Sequence, residues 1–480
     1  MKLFFPYLEW EVLREPVTIT EVKDKPELPK GQKRIVIDRD DNYNLRATLS
    51  FNSPLGNDLP TPSAAAGSFS EKFDIQGSYY DLVHYTLESC LIENTTIRLV
   101  PEDKGLFNTA NLFFNGLRIK YKNENEGSRL TEWYLNGPRQ HVFRRVTNRK
   151  LSTVFSRMRL AAKDDKTDSI EVSREGSGGG VDFVSIEAGD LKFLVSKVPK
   201  EVGPSWSSNI GIEYHKDWGR IPDVVEREKI EELCSFVFGR QFLSVGYTIY
   251  DRDNNVVEGY ASNPWGQDAR WYCSKQDEPP VRIDDFGGVN AGDIIARLLP
   301  KYYELREPLR LKEALWFHWA SRHVPVGTNL PILAAALESM MNGWYDIKSK
   351  SQALYMKKED FESLLKEDIE AMKRKLESKP NGDKILANIL RAYSLGITER
   401  YRTFFPEIGL SIDANEWKAI EARHMTVHGH MIFDKTDWKQ MIQHVNTFET
   451  LLHKVLLRLL GYSGTYIDRS VVGWNDKQLG

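Results

Sequence analysis

KTDWKQMIQHVNTFETLLHKVLLRLL, residues 435–460, carries the most regular hydrophobic pattern in the chain. Trp438, Met441, Ile442, Val445, Phe448, Leu452, Val455, Leu456 and Leu459 recur at the three-and-four spacing of an α-helix, and Gly461 supplies its stop. A stripe of that length has to be covered by other helices or by a second subunit. The same period runs back through residues 307–322, with Pro308 in the first turn and Leu311, Leu315, Trp316 and Trp319 on one side. It continues in 330–345, capped by Thr328 or Asn329 and carrying Leu333, Leu337, Met340, Met341 and Trp344. Residues 357–377 set Phe361, Leu364, Leu365, Met372 and Leu376 against a charged face, and 383–395 follow Asn381-Gly382. Residues 305–480 are therefore expected to form an all-α bundle.

Ahead of about residue 300 the period changes to two. Residues 34–37 and 45–51 alternate around Asp38-Arg39-Asp40-Asp41-Asn42, and 245–250 and 256–260 do so around Asp251-Arg252-Asp253-Asn254-Asn255. Neither acidic loop fits a calcium-binding EF-hand: in the second, Val256 stands where the sharp turn needs Gly and Ser262 where a bidentate Glu belongs. Turn chemistry accounts for both. Further strands are expected at 96–100, 117–121, 183–186 and 191–195, surface loops at 53–68 and around the Gly176–Gly180 run, and one helix at 223–238. The fold class expected is α+β and multidomain, with a β-rich region over 1–300, helical insertion included, followed by a helical domain over 305–480.

The chain has 480 residues, 41% of them hydrophobic and 28% charged, with net charge −3, which suits two or three globular domains and does not mark a nucleic-acid binder as a whole. The balance differs along the chain: residues 301–480 hold 26 Lys+Arg against 23 Asp+Glu, leaving 39 against 45 for residues 1–300. Cys90, Cys234 and Cys273 form neither a disulfide framework nor a zinc motif, so a reduced cytoplasmic setting is expected. The apolar start is too short for a signal peptide, and no run approaches membrane-spanning length.

Residues 413–430 read as a helix whose end carries the chemistry. Asp413 and Glu416 have capping-box spacing, Trp417, Ile420 and Val427 lie on one side, and Gly429 can end the helix. Within Arg423-His424-Met425-Thr426-Val427-His428-Gly429, Arg423 and His428 form an R-x4-H pair. On an ideal helix they stand ~140° apart, so they share a site through the long arginine side chain or a loosened last turn. A histidine exchanges protons near neutral pH and an arginine holds phosphate through paired N–H donors, which suits RNA cleavage by the 2′-OH without a metal. His424 and His428 at i, i+4 could also hold zinc, but position 425 is Met and a third ligand is not evident, so no metal or cofactor is expected.

Arg423, polar His424, three spacers, His428 and the following Gly429 resemble the motif of HEPN-superfamily ribonucleases, which carry R-[polar]-x3-H at a helix end in an all-helical domain. The β-rich region ahead of such a domain looks like the ApeA-type anti-phage proteins. The resemblance implies a metal-independent endoribonuclease in abortive infection, with Arg423 and His428 catalytic and His424 assisting. It also implies a homodimer that brings two motifs to one cleft, with the last helices as interface, and an N-terminal region that answers a phage-derived trigger. HEPN ribonucleases often keep a polar residue on an early helix near the motif. Glu338, among apolar neighbours on the second bundle helix, fits that position and could pair with and orient Arg423.

One N-terminal stretch adds an RNA-binding candidate. From Trp133 to Lys163 there is no acidic residue, while Arg139, Arg144, Arg145, Arg149, Arg157 and Arg159 accumulate among Trp133, Tyr134, Phe143 and Phe155. Such a mixture can neutralise phosphates and stack bases, with Arg144, Arg145, Arg149 and Arg157 as the contacts; it also fits the water-facing side of one or two strands. The alternative to the nuclease is a non-catalytic nucleotide- or partner-binding helical module in which the Arg–His pair is structural.

Overall fold

The computed structural model of the chain describes residues 10–51, 72–96, 108–122, 125–138, 143, 145–146, 181–198, 203–264, 268–283, 289–348, 354–427 and 438–479, with the backbone alone for 93–96, 145–146, 181–182 and 424–427. The fold is mixed α+β, and the chain divides into two compact units, one of residues 1–279 and 283–296, the other of 280–282 and 297–480.

The first unit is built on antiparallel strands: β1 (Val17–Ile19), β2 (Glu21–Val22), β3 (Lys33–Arg39), β4 (Leu45–Phe51), β5 (Phe73–Tyr79), β6 (Val83–Thr96), β7 (Asn108–Phe113), β8 (Gly116–Tyr121), β9 (Arg129–Leu135), β10 (Arg145–Val146), β11 (Val181–Ala188), β12 (Leu191–Lys197), β13 (Ile210–His215), β14 (Leu243–Tyr250) and β15 (Val256–Ser262). They pair in the order β1-β3-β4-β7-β6-β8-β15-β14-β9-β13-β12-β11-β10, with β5 on β6 and β2 on β5. Strand β6 bends at Ser89, where φ is 56°: its first part pairs with β5 and β8, its second with β7. The alternating side chains Ile35, Ile37, Ala47, Leu49 and Phe51 meet Ile75, Leu87, Leu112, Leu117 and Ile119 in one core.

Both acidic loops are turns. Asp40 Oδ1 accepts from the N–H groups of Asn42 and Asn44, and Asp251 Oδ1 from those of Asp253 and Asn255, with Tyr43 and Asn254 left-handed. The helix expected over 223–238 is α1 (Val224–Phe238), opened by a reciprocal capping box between Asp223 and Glu226 and closed by Gly239 at φ 68°. A Cβ at Gly239 would stand 2.1 Å from the backbone carbonyl carbon of Glu278, so glycine is required there. Asp223→Ala is expected to cost about 1 kcal/mol, measured by denaturant titration.

Helix α1 is tied to β9 by Arg227 Nε donating to Glu132 Oε1 at 2.8 Å, and Tyr134 Oη donates to Glu132 Oε2 at 3.0 Å. Burial first, and the neighbouring Glu132 second, push the Glu231 carboxyl well above its ordinary value. A carboxyl raised in the folded chain makes a contribution to stability that declines as pH rises above the unfolded value of 4.5. Glu231→Gln is expected to flatten that decline, checked by unfolding titrations at several pH values.

The short helix α2 (Ala269–Ser274) and the longer α3 (Ala291–Leu305) precede α4 (Leu311–Ser321), α5 (Asn329–Lys348), α6 (Lys358–Leu364), α7 (Lys366–Leu376), α8 (Gly382–Ile389), α9 (Ile397–Glu407), α10 (Ala414–Val427) and α11 (Trp438–Leu459). A hairpin of β16 (Thr465–Asp468) and β17 (Asn475–Gln478) follows. Helix α5 packs against α4, α10 and α11, and α10 against α11.

Several boundaries differ from the sequence reading. The helix expected over 307–322 begins only at Leu311: Pro308 has no N–H to extend α3, and Arg310 turns left-handed at φ 54° before α4 starts. The single helix expected over 357–377 is two, α6 and α7, broken at Leu365; only Phe361 of this pair is buried, so little packing holds it straight. Residues 383–395 are helical only as far as Ile389, and α9 was not anticipated. The expected strand 96–100 is described only at Thr96, and the loops at 53–68 and 176–180 lie outside the described residues.

Candidate functional site at the end of helix α10

Helix α10 begins as its sequence dictates. Asp413 Oδ1 accepts from Glu416 N at 2.9 Å, and Glu416 Oε2 accepts from Asp413 N at 2.9 Å. Ala419, Ile420 and Ala422 are buried, which faces this side of the helix to its neighbours. The other carboxylate oxygen of Glu416 receives the Lys454 ammonium of α11 at 2.7 Å, a buried ion pair that fixes α10 against α11.

Near the far end of α10, Arg423 forms an ion pair with Glu338 on α5. Their side chains retain 13% and 25% of their exposure, so the pair is recessed but keeps an edge to solvent. Burial lowers the Arg423 pKa from its usual value. The result is a guanidinium held by a carboxylate between two helices, with five donors of which the carboxylate can take two. The backbone of α10 continues through His424 to Val427; the side chain of His424, and all of His428 and Gly429, lie outside the described residues.

The N-terminal RNA-binding candidate changes character. Trp133 is 1% exposed in β9 and donates through Nε1 to Thr248 Oγ1 at 3.0 Å; Tyr134 and Phe143 are buried as well. The Lys197 ammonium lies 4.8 Å from the Phe143 ring centroid. Trp133 and Tyr134 belong to the core and do not offer faces for base stacking, because β9 is a central strand with β13 and β14 on either side. The Arg145 backbone pairs in β10 with Phe183, while Arg144, Arg149 and Arg157 lie outside the described residues.

Of the two covers expected for the apolar stripe of α11, other helices or a second subunit, the chain's own helices supply the first: α5 and α10 pack against it. From Thr447 to Leu457 every residue of the helix is buried, so the chain itself covers this stretch and it is not an open subunit interface. A helix buried all round places its polar residues in the interior. Two of them, Glu449 and His453, face His318 of α4, with one potential ligand atom from each within 4.8 Å of the others. Nothing in the sequence reading picked out this cluster. Its signal was present as Glu449-x3-His453 inside a run of Leu and Val, and as His318 flanked by Phe317 and Trp319.

Comparison of the chain with protein-family models, with curated proteins and with solved structures finds no match in any of the three. Among the described residues, no helix is long and apolar enough to cross a membrane.

Proposed function

We propose that the chain is a metal-independent endoribonuclease of HEPN type acting in anti-phage defence, with Arg423 and His428 at the reacting phosphate. The observation that carries this reading is the Arg423–Glu338 pair: an arginine fixed in orientation at the end of α10, recessed yet reachable, one residue before His424 and five before His428. Removal of the 2′-OH proton lets that oxygen attack the adjacent phosphorus, the 5′-oxygen of the next nucleotide leaves with a proton, and a 2′,3′-cyclic phosphate results. Arg423 stabilises the added charge on the phosphoryl oxygens, and His428 transfers one of the two protons. The second proton-transfer group comes from the motif of a second copy, which makes the active species a homodimer. Since Thr447 to Leu457 are buried within one chain, the subunit contact lies elsewhere on the helical unit.

In this reading His424 assists at the phosphate and Glu338 is a positioning residue. Glu338→Gln keeps the size and removes the charge that holds Arg423, and is expected to lower the cleavage rate by about 10- to 100-fold with the fold intact. The test is cleavage of total RNA by purified protein in the presence of chelator, comparing wild type, Glu338→Gln and His428→Ala. Retained activity in His428→Ala would remove the assignment.

A second reading is favoured by the same pair seen from its other side. Arg423 is already neutralised by Glu338 and mostly buried, which is what a structural arginine in a nucleotide- or partner-binding module would also require. In that case Arg423→Ala lowers stability, and His428→Ala leaves defence in cells unchanged.

A further inference from the structure

Among the described residues, the group of metal-ligating side chains that converges in the interior of the helical unit is His318, Glu449 and His453. None of them belongs to the site on α10. His318 and His453 are 1% and 0% exposed and Glu449 is 8% exposed. Their rings stand edge to face, with centroids 5.1 Å apart. His318 Nδ1 is buried and has no hydrogen-bond partner among the described residues, a costly state for a ring nitrogen.

We propose that His318, Glu449 and His453 form a binding site for one divalent ion of the zinc class, which ties α4 to α11. The donor set decides the class. Two imidazoles and one carboxylate suit zinc and its first-row neighbours, whereas calcium and magnesium require six or more oxygens or retained water. Around a tetrahedral zinc with bonds of about 2.0–2.1 Å, ligand atoms stand roughly 3.3 Å apart, so the three side chains need to close by at most about 1.5 Å. The spacing within α11 favours this: Glu449 and His453 are i, i+4 and share one face. The fourth position is taken by water.

The charges around the site act in two directions. Burial lowers the pKa of both histidines well below the ordinary range, and Arg322 and Arg469 add to the effect, which keeps the imidazoles in the neutral form that binds metal. The same arginines oppose a cation, and Arg469 Nη1 approaches His453 Nδ1 at 3.5 Å, the outer limit of a hydrogen bond. Glu449 offsets one of these charges. Arg469 therefore acts as a competitor for the site, which gives the proposal a signature that a merely structural cluster lacks: removing Arg469 tightens metal binding.

The test uses full-length protein stripped with chelator, dialysed against zinc or cobalt(II), and examined for bound metal and for the visible bands of four-coordinate cobalt. The wild type is expected to take up about one ion per chain and to melt higher when loaded. Glu449→Gln and His453→Gln are expected to lose the bands and the melting shift, and Arg469→Met to bind at least about 10-fold more tightly. Wild-type protein that is folded by circular dichroism and takes up no ion overturns the proposal. So does binding that survives in the Glu449→Gln and His453→Gln variants, since the ion then sits elsewhere. Should these two variants fail to fold, the Arg469→Met arm decides: unchanged or weakened binding also overturns it.

Discussion

Arg423→Ala and His428→Ala are each expected to lower RNA cleavage by about 10²- to 10⁴-fold. The two losses differ in kind. In the proposed reaction His428 would supply a proton-transfer group, so its removal is expected to lower the chemical step with little effect on RNA binding. In the same reaction Arg423 would supply charge that counts most when the phosphorane-like state forms, so kcat is expected to fall more than KM rises. Arg423→Lys is expected to recover only part of the rate, because an ammonium cannot present two parallel donors while also holding Glu338. Arg423→Ala also leaves Glu338 without its cation. That carboxylate keeps 25% of its exposure, so the cost to stability is small beside the loss of rate. Single-turnover kinetics on a defined RNA, with circular dichroism as the fold control, separates these effects.

The largest expected effect on stability lies at Lys454. Its ammonium sits 2.7 Å from Glu416 Oε1, with side-chain exposures of 10% and 7%. Lys454→Met leaves the Glu416 charge buried between α10 and α11, which is expected to cost about 3–5 kcal/mol. Replacing both residues with apolar ones is expected to recover most of this. What remains is about 1 kcal/mol for the lost hydrogen bond from Asp413 N to Glu416, half of the cap of α10. Because α10 carries Arg423, the single variant is also expected to lose cleavage activity, and the double variant to regain it. A double-mutant cycle measured by denaturant unfolding checks the stability part.

What the sequence conveyed about this fold follows from how local each signal is. The cap of α10 and the two aspartate turns were legible because each is settled by residues within four positions of one another. The strand pairs β3–β4 and β14–β15 were legible for the same reason. Strand β9 was not, since Trp133 and Tyr134 opened a stretch free of acidic residues and read as part of a basic surface. Only their pairing with β13 and β14, more than seventy residues away, makes them core. Helix α9 carries Tyr401, Phe404 and Phe405 at helical spacing, and all three are fully buried, so its signal is present in the sequence.

The candidate site divides along the same line. Arg423 and Glu338 lie 85 positions apart in sequence (423 − 338), and their meeting depends on how α5 packs against α10. His318 reads in sequence as one more member of an aromatic run, and Glu449 and His453 as polar interruptions of a stripe. It takes the continuous burial of α11 from Thr447 to Leu457 to turn them into an interior cluster. Lys454, which reads as a solvated face residue, is likewise interior, and its partner Glu416 serves both the cap and the ion pair.

The central claim is that the Arg423–His428 motif cuts RNA through the 2′-OH. The most direct measurement is the chemistry of RNA ends in phage-infected cells that express the wild type or His428→Ala, since in the proposed role infection would supply the trigger. Fragments ending in 2′,3′-cyclic phosphate that appear with the wild type and not with His428→Ala are the predicted result. The same RNA ends in both strains, or wild-type fragments ending in 3′-hydroxyl, would contradict it.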